Sequence, residues 1–261
     1  MKQILVFGHK NPDTDSICSA ISFAELKNAQ GVNVIPCRLG NVSKETQFAL
    51  NHFGAEAPLF IENVNADENG KKEVILVDHN EKAQTADGIE SAKILEVVDH
   101  HKFALTTDEP LKITADTVGC TCTLIYRLFK QAGITPSKKA AGLMMSAIIS
   151  DTLLFKSPTC TPEDVEAVKE LSKICGEENY EDYGMKLLIE GTSLSDKTPE
   201  EIITIDMKEF DMNGKKVAVA QVNTVDVAGL LSTQAELEAA MNSMSAVSYT
   251  HLRAHETELH L

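Results

Sequence analysis

No apolar run in the 261 residues approaches the ~20 that a membrane-spanning helix needs. The apolar part of the opening stretch MKQILVFGHK is too short for a secretory signal, and no small-residue cleavage site follows it. The expected location is therefore the cytoplasm. Basic residues are scarce, with 24 Lys and Arg against 39 Asp and Glu, a formal net charge of −15. That balance argues against a nucleic-acid partner, short of a local patch, and is accounted for by plain solubility. Cysteine pairs at metal or redox spacing are missing as well. The six cysteines, without a secretory signal, read as reduced thiols. Cys120-Thr121-Cys122 fits neither the common zinc spacings nor C-x-x-C. There are no repeats and no low-complexity tracts.

What is present is a soluble composition, 43% hydrophobic and 24% charged, enough for one large or two modest cores. The first half alternates strand-like and helix-like segments. Residues 3–7, 32–36, 73–77 and 94–98 are short apolar runs. Residues 16–30 and 44–53 have helical spacing, the second capped by Ser43 and stopped by Gly54. Strands alternating with helices predict an α/β fold, a parallel sheet with helices on both faces. Near-continuous apolar strands fit burial in such a sheet. Helices are expected over 121–132, 138–149 and 161–175, the last with Thr161 as N-cap, Pro162 in the first helical position and Gly176 after it. Residues 191–199 are polar and aperiodic, and read as a linker after a first domain of 1–190. Beyond it, 202–212 and 215–222 flank Asn213-Gly214, a hairpin signal, and 234–244 is helix-like. A second, smaller α/β domain is expected over 200–244.

The predicted strand ends concentrate the chemistry. The first runs into Gly8-His9-Lys10-Asn11-Pro12-Asp13-Thr14-Asp15-Ser16, the third into Val77-Asp78-His79-Asn80, and the fourth into Val98-Asp99-His100-His101. A helix closes its apolar run at Ser150-Asp151-Thr152. In open α/β sheets, ligands bind outside the carboxyl ends of the strands. These groups should therefore converge on one edge. A lone Asp-His pair at a strand end is usually a turn or a cap; several together point to a shared metal site. Carboxylates with imidazoles and no thiolate suit Mn²⁺, Co²⁺ or Mg²⁺ better than structural zinc. Two neighbouring divalent ions would relieve the mutual repulsion of the carboxylates and are a usual device for phosphate-ester and anhydride hydrolysis.

In this order and spacing, GHKNPDTDS, VDHN, VDHH and SDT resemble the motif set of the DHH phosphoesterases, and most nearly that of the family II, manganese-dependent, inorganic pyrophosphatases. The resemblance covers about residues 1–244. It implies a two-domain enzyme that splits pyrophosphate into two orthophosphates by a hydroxide activated between two metals. It implies that His9 and Asp13 hold one ion, that Asp15, His100 and Asp151 hold the second, and that Asp78 bridges them. It further implies that His101 meets the substrate phosphate and protonates the leaving group, with Asp99 orienting a histidine. Lys208 matches a lysine that reaches a phosphate from the second domain. Two Mn²⁺ (or Co²⁺) per site, an additional Mg²⁺ arriving with pyrophosphate, and a homodimer paired through edge strands of the first domain are also implied.

The sequence departs from this pattern late in the chain. Family members carry a Ser-Arg-Lys run whose cations clamp phosphate, and no Arg-Lys pair follows the linker here. Residues 245–261, SAVSYTHLRAHETELHL, do not resemble the family and read as a non-native tail on a truncated second domain. Impaired turnover is the expected consequence. The alternatives are another DHH phosphoesterase, acting on polyphosphate or short oligonucleotides, and a catalytically inactive metal- or phosphate-binding fragment.

Overall fold

The structure is a computed structural model that describes residues 3–248, apart from Asn69, Asp108, Ser195, Gly214, Asn223, Val225 and Asp226. The side chains of Lys215 and of 245–248 also lie outside the described set. The chain divides into two compact units, Met1–Gly191 and Thr192–Leu261.

The first unit is built on six parallel strands: β1 (Ile4–Phe7), β2 (Val34–Arg38), β3 (Leu59–Phe60), β4 (Glu73–Val77), β5 (Lys93–Asp99) and β6 (Lys112–Ala115). Their spatial order is β3-β2-β1-β4-β5-β6. The strands alternate faces as a pleat requires. Val6, Ile75, Val77 and Val98 enter one core and Phe7, Val74, Leu76 and Val97 the other. The first core lies under α1 (Thr14–Ala29), α2 (Lys44–His52), α3 (Thr121–Ala132), α4 (Lys138–Asp151), α5 (Pro162–Cys175) and α6 (Tyr180–Gly191). The second is covered by the stretches on either side of β4, through Ile61, Val64, Ala86 and Ile89 and with short 3-10 turns at Lys82–Gln84 and Ile89–Ser91, and by Leu105 and Leu111. Both faces are thus buried, so the strands can be apolar throughout.

Chain order reverses between β1 and β4. After β1 the chain moves outward through β2 and β3, then returns to pair β4 on the other side of β1. Neighbouring connections leave in opposite directions there, and a crevice opens beyond the carboxyl ends of β1 and β4.

The second unit contains α7 (Pro199–Thr204), the antiparallel hairpin β7 (Met207–Met212) and β8 (Lys215–Ala220), α8 (Val227–Ser232) and α9 (Gln234–Ser248). The hairpin pairs Met212 with Lys215 around Asn213-Gly214. Asn213 has φ +56°, the left-handed conformation such a turn demands. Residues 202–204 are helical rather than extended, against the sequence reading. Thr198 accepts from the Glu201 amide at 3.2 Å while Glu201 accepts from the Thr198 amide at 2.8 Å. This capping box, with Pro199 in the first position, starts a helix before the strand can begin. Helix α9 continues past Met244 to Ser248, and residues 249–261 of the expected tail lie outside the described set. Among the described residues no helix is long and apolar enough to cross a membrane.

Candidate metal centre

The turn from β1 to α1 places the first donors. Asp13 is the N-cap of α1: its Oδ1 accepts from the Ser16 amide at 2.9 Å. Its other oxygen lies 3.4 Å from His9 Nε2. One carboxylate therefore caps the helix and still offers an oxygen to the crevice. The Ser16 hydroxyl accepts from the His9 amide at 2.8 Å and closes the turn. Gly8 is required beneath it, because a Cβ there would sit 1.8 Å from Ser16 Oγ.

Asp78 follows β4 with φ +59°. A non-glycine residue in this region costs roughly 1 kcal/mol, and Asp is among the few that tolerate it. The twist turns the carboxylate back over the sheet end. There Oδ2 lies 3.5 Å from His9 Nε2, and Oδ1 lies 3.6 Å from His100 Nε2 and 3.7 Å from His101 Nδ1. Asp78 is 1% exposed, and its Oδ2 accepts no hydrogen bond from the described residues. An orphaned buried carboxylate oxygen is costly unless a cation faces it.

The donor atoms form overlapping groups. His9, Asp13 and Asp78 are within 4.8 Å of one another, and so are Asp15, His100 and Asp151. Asp78, His100 and His101 form a third group. Asp78 is thus shared between the His9 side and the His100 side. Asp15, Cys120 and Cys122 also meet this spacing; the sequence reading assigned those thiols no metal role.

The charges are poorly compensated. Burial, then the charges of Asp15 and Asp13, push the Asp78 carboxyl well above its ordinary range. Burial, then Asp15 and Asp78, do the same to Asp151. Asp15 goes the other way. Full burial opposes its charge, but His100, hydrogen bonds from Cys120 and Ser19, and the Thr121 amide outweigh that and hold it low. Burial also opposes a charged His9 ring, yet Asp13 prevails and its pKa is raised. Crowded carboxylates, imidazole nitrogens and an orphaned buried oxygen fit divalent cations with oxygen and nitrogen ligands.

A further layer holds these donors. His100 Nδ1 lies 3.0 Å from the Val118 carbonyl oxygen, which aims Nε2 at Asp78. Asp99 accepts from His101, whose pKa is raised by that bond. Asn80 was given no role from sequence and proves central: its Nδ2 donates to Asp99 at 2.6 Å and to the Lys102 carbonyl at 2.9 Å, while its Oδ1 accepts from the Ala104 amide at 2.7 Å. Its position in VDHN was the available signal. His79 is buried, with Nδ1 2.9 Å from the Val77 carbonyl oxygen, and burial pushes its pKa down to about 4. A cavity of about 130 Å³ opens between His9, His79, His101 and Lys102. Lys208 lies on β7 in the second unit, largely exposed, with Nζ 3.7 Å from Asp206.

A parallel sheet whose reversal point gathers carboxylates and imidazoles around one shared aspartate is the arrangement of a DHH-type domain with a candidate metal centre. The profile of the DHH family N-terminal domain matches residues 3–148, and that of the DHHA2 domain residues 185–253. The chain belongs to the DHH family and, within it, to the family II, manganese-dependent inorganic pyrophosphatases. Proteins of Bacillus cereus and Bacillus anthracis, each named "Probable manganese-dependent inorganic pyrophosphatase", are 52% identical over 245 residues, which is 94% of this chain and 78% of theirs. A crystal structure of a Methanococcus jannaschii protein assigned as a family II inorganic pyrophosphatase superposes with a TM-score of 0.71 at 42% identity, covering 93% of this chain and 79% of that one. An exopolyphosphatase-related protein of Bacteroides fragilis shares the fold, with a TM-score of 0.60 at 19% identity over 80% of this chain and 62% of that one.

Proposed function

We propose that this chain hydrolyses inorganic pyrophosphate to two orthophosphates with two Mn²⁺ ions, or Co²⁺, in the centre around Asp78. The observation that carries the reading is the shared aspartate: Asp78 belongs both to the group with His9 and Asp13 and to the group with His100 and His101. His9 and Asp13 would hold one ion and Asp15, His100 and Asp151 the other, with Asp78 available to both. Bound there, divalent ions supply counter-charge and Lewis-acid polarisation of a phosphoryl group. A further Mg²⁺ accompanies the substrate. The names and the 52% identity of the Bacillus relatives support the substrate.

The remaining work belongs to side chains. His101 presents a half-exposed ring, 53% accessible, on the crevice side of Asp99. It touches the outgoing phosphate and delivers a proton to the oxygen that leaves phosphorus as water's oxygen is added, and the proton given up by that water restores the ring. Asp99 holds that ring in place. Residues 1–190 carry the metal domain, and residues 200–244 carry phosphate-binding groups, with Lys208 as the cation. No Arg-Lys pair follows residue 191.

Phosphate release by the 261-residue chain with Mn²⁺, measured beside the Bacillus cereus relative, tests this. Hydrolysis of pyrophosphate is expected. Preference for polyphosphate or a short oligonucleotide would replace the reading, and Mn²⁺ binding with no turnover would reduce it to a binding protein. The six free thiols agree with a cytoplasmic setting. A homodimer through the first unit's sheet edge is supported by β6, which among the described residues pairs only with β5 and leaves Ile113 52% exposed. Light scattering of Ile113→Lys should show a shift to monomer.

A further inference from the structure

Helix α3 begins at Thr121, and its N-cap residue Cys120 makes no side-chain capping bond. The first amides of a helix need acceptors. Here they are supplied by another helix: the Thr121 amide donates to Asp15 Oδ2 at 2.6 Å and the Cys122 amide to Asp15 Oδ1 at 3.1 Å. Ser19 adds a hydroxyl to Oδ1 at 2.8 Å. The Thr121 hydroxyl points the other way and donates to Asp78 Oδ1 at 3.1 Å. One residue thus grips a carboxylate from the α1 end with its backbone and the shared carboxylate after β4 with its side chain. The contact fixes which oxygen of Asp78 faces His100, and so leaves Oδ2 for His9.

Thr121 is itself held. Asp164 on α5 is fully buried and accepts from the Gly119 amide at 2.9 Å and from the Thr123 hydroxyl at 2.6 Å. The same carboxylate accepts from the Thr161 amide and hydroxyl, each at 2.7 Å, as part of the capping box of α5. The two residues flanking the Cys120–Cys122 turn are therefore tied to a second helix. Gly119 allows the approach, since a Cβ there would lie 2.8 Å from Asp164 Oδ2.

We propose that Thr121 is a positioning residue of the metal centre, setting through Asp15 and Asp78 the relation between the two cation positions, with Asp164 as its anchor. This rests on the reading of the centre given above. Partners that orient ligands typically govern metal affinity by 10–100-fold.

The test uses the full chain, with Mn²⁺ uptake followed by the loss of the free-ion electron paramagnetic resonance signal and pyrophosphate hydrolysis followed separately. Thr121→Val keeps the shape and the amide but removes the hydroxyl. It should weaken uptake of at least one Mn²⁺ by about 10–100-fold, without lowering the metal-free melting midpoint in proportion. Thr121→Ser, which restores the hydroxyl, should recover affinity. If the valine variant does not fold, Thr121→Ala carries the same comparison. Wild-type Mn²⁺ affinity in the hydroxyl-less variants, or a serine variant as weak as valine, overturns the proposal. Failure of the wild-type chain to hydrolyse pyrophosphate while the affinity order holds overturns the functional reading alone. A wild-type chain that takes up no Mn²⁺ overturns both.

Discussion

Asp99 Oδ1 accepts two hydrogen bonds from one residue, the His101 amide at 3.1 Å and the His101 ring Nδ1 at 2.9 Å. The ring is thereby fixed in plane with Nδ1–H toward the carboxylate, which leaves Nε2 as the nitrogen able to exchange a proton. Asp99→Ala should lower kcat for pyrophosphate by about 10–100-fold while Mn²⁺ affinity changes much less. Asp99→Asn, which keeps an acceptor oxygen, should lose less. Steady-state kinetics with parallel Mn²⁺ titration decide it, and an alanine variant with unchanged kcat would remove Asp99 from this role.

Asn80 closes the chain of support from the other side. It is 2% exposed and uses both its donor and its acceptor ends on Asp99, Lys102 and Ala104. Asn80→Leu fills similar space but leaves buried partners unpaired, at about 1–3 kcal/mol. Urea unfolding should show that loss, and hydrogen exchange should show faster exchange at Ala104. Full stability would mean that water replaces the side chain without cost.

Gly8 and Gly31 separate two reasons for glycine. A Cβ at Gly8 would meet Ser16 Oγ, Cβ and Cα, all within 2.9 Å, whereas one at Gly31 meets nothing within 4 Å. Gly8→Ala should force β1 and α1 apart, costing about 1–3 kcal/mol and weakening Mn²⁺ binding as His9 moves. Gly31 has φ +83°, so Gly31→Ala should cost about 1 kcal/mol through strain and leave Mn²⁺ affinity alone. Melting curves and Mn²⁺ titrations on both variants make the comparison. Equal effects on affinity would contradict the close-packing account.

Metal removal and removal of the Asp78 charge should act in opposite directions on stability. With a chelator present, burial first and then the neighbouring carboxylates make the Asp78 charge unfavourable in the folded chain. Asp78→Asn should therefore melt higher than wild type without metal. With Mn²⁺ at about 100 times its Kd, the wild type should gain about 2.7 kcal/mol by binding, and the variant little. A variant that melts lower in chelator would show that the carboxylate stabilises the metal-free fold.

The candidate donors of the centre were legible because they are local. His9, Asp13, Asp78 and His100 follow predicted strands within a few residues, and a parallel sheet sends all such ends to one edge. The helix 162–175 was equally plain, since its capping signals are written within four residues. The helix 199–204 was missed although Thr198-Pro199-Glu200-Glu201 carries the same signal; the apolar Ile202-Ile203 pair drew that segment into a strand. Asn80 was passed over because nothing local says what a buried amide will hold.

By itself, the sequence determined the α/β class, four of the six parallel strands, the candidate donor residues and the family they belong to. Each of these depends on patterns a few residues long, or on motifs in fixed order. Tertiary structure decided which donors share an aspartate and what holds them still. The Thr121 and Cys122 amides reach Asp15 across 106 and 107 positions, and Gly119 reaches Asp164 across 45. Such partners are selected by how helices pack on a sheet, and no local period in a chain encodes that distance.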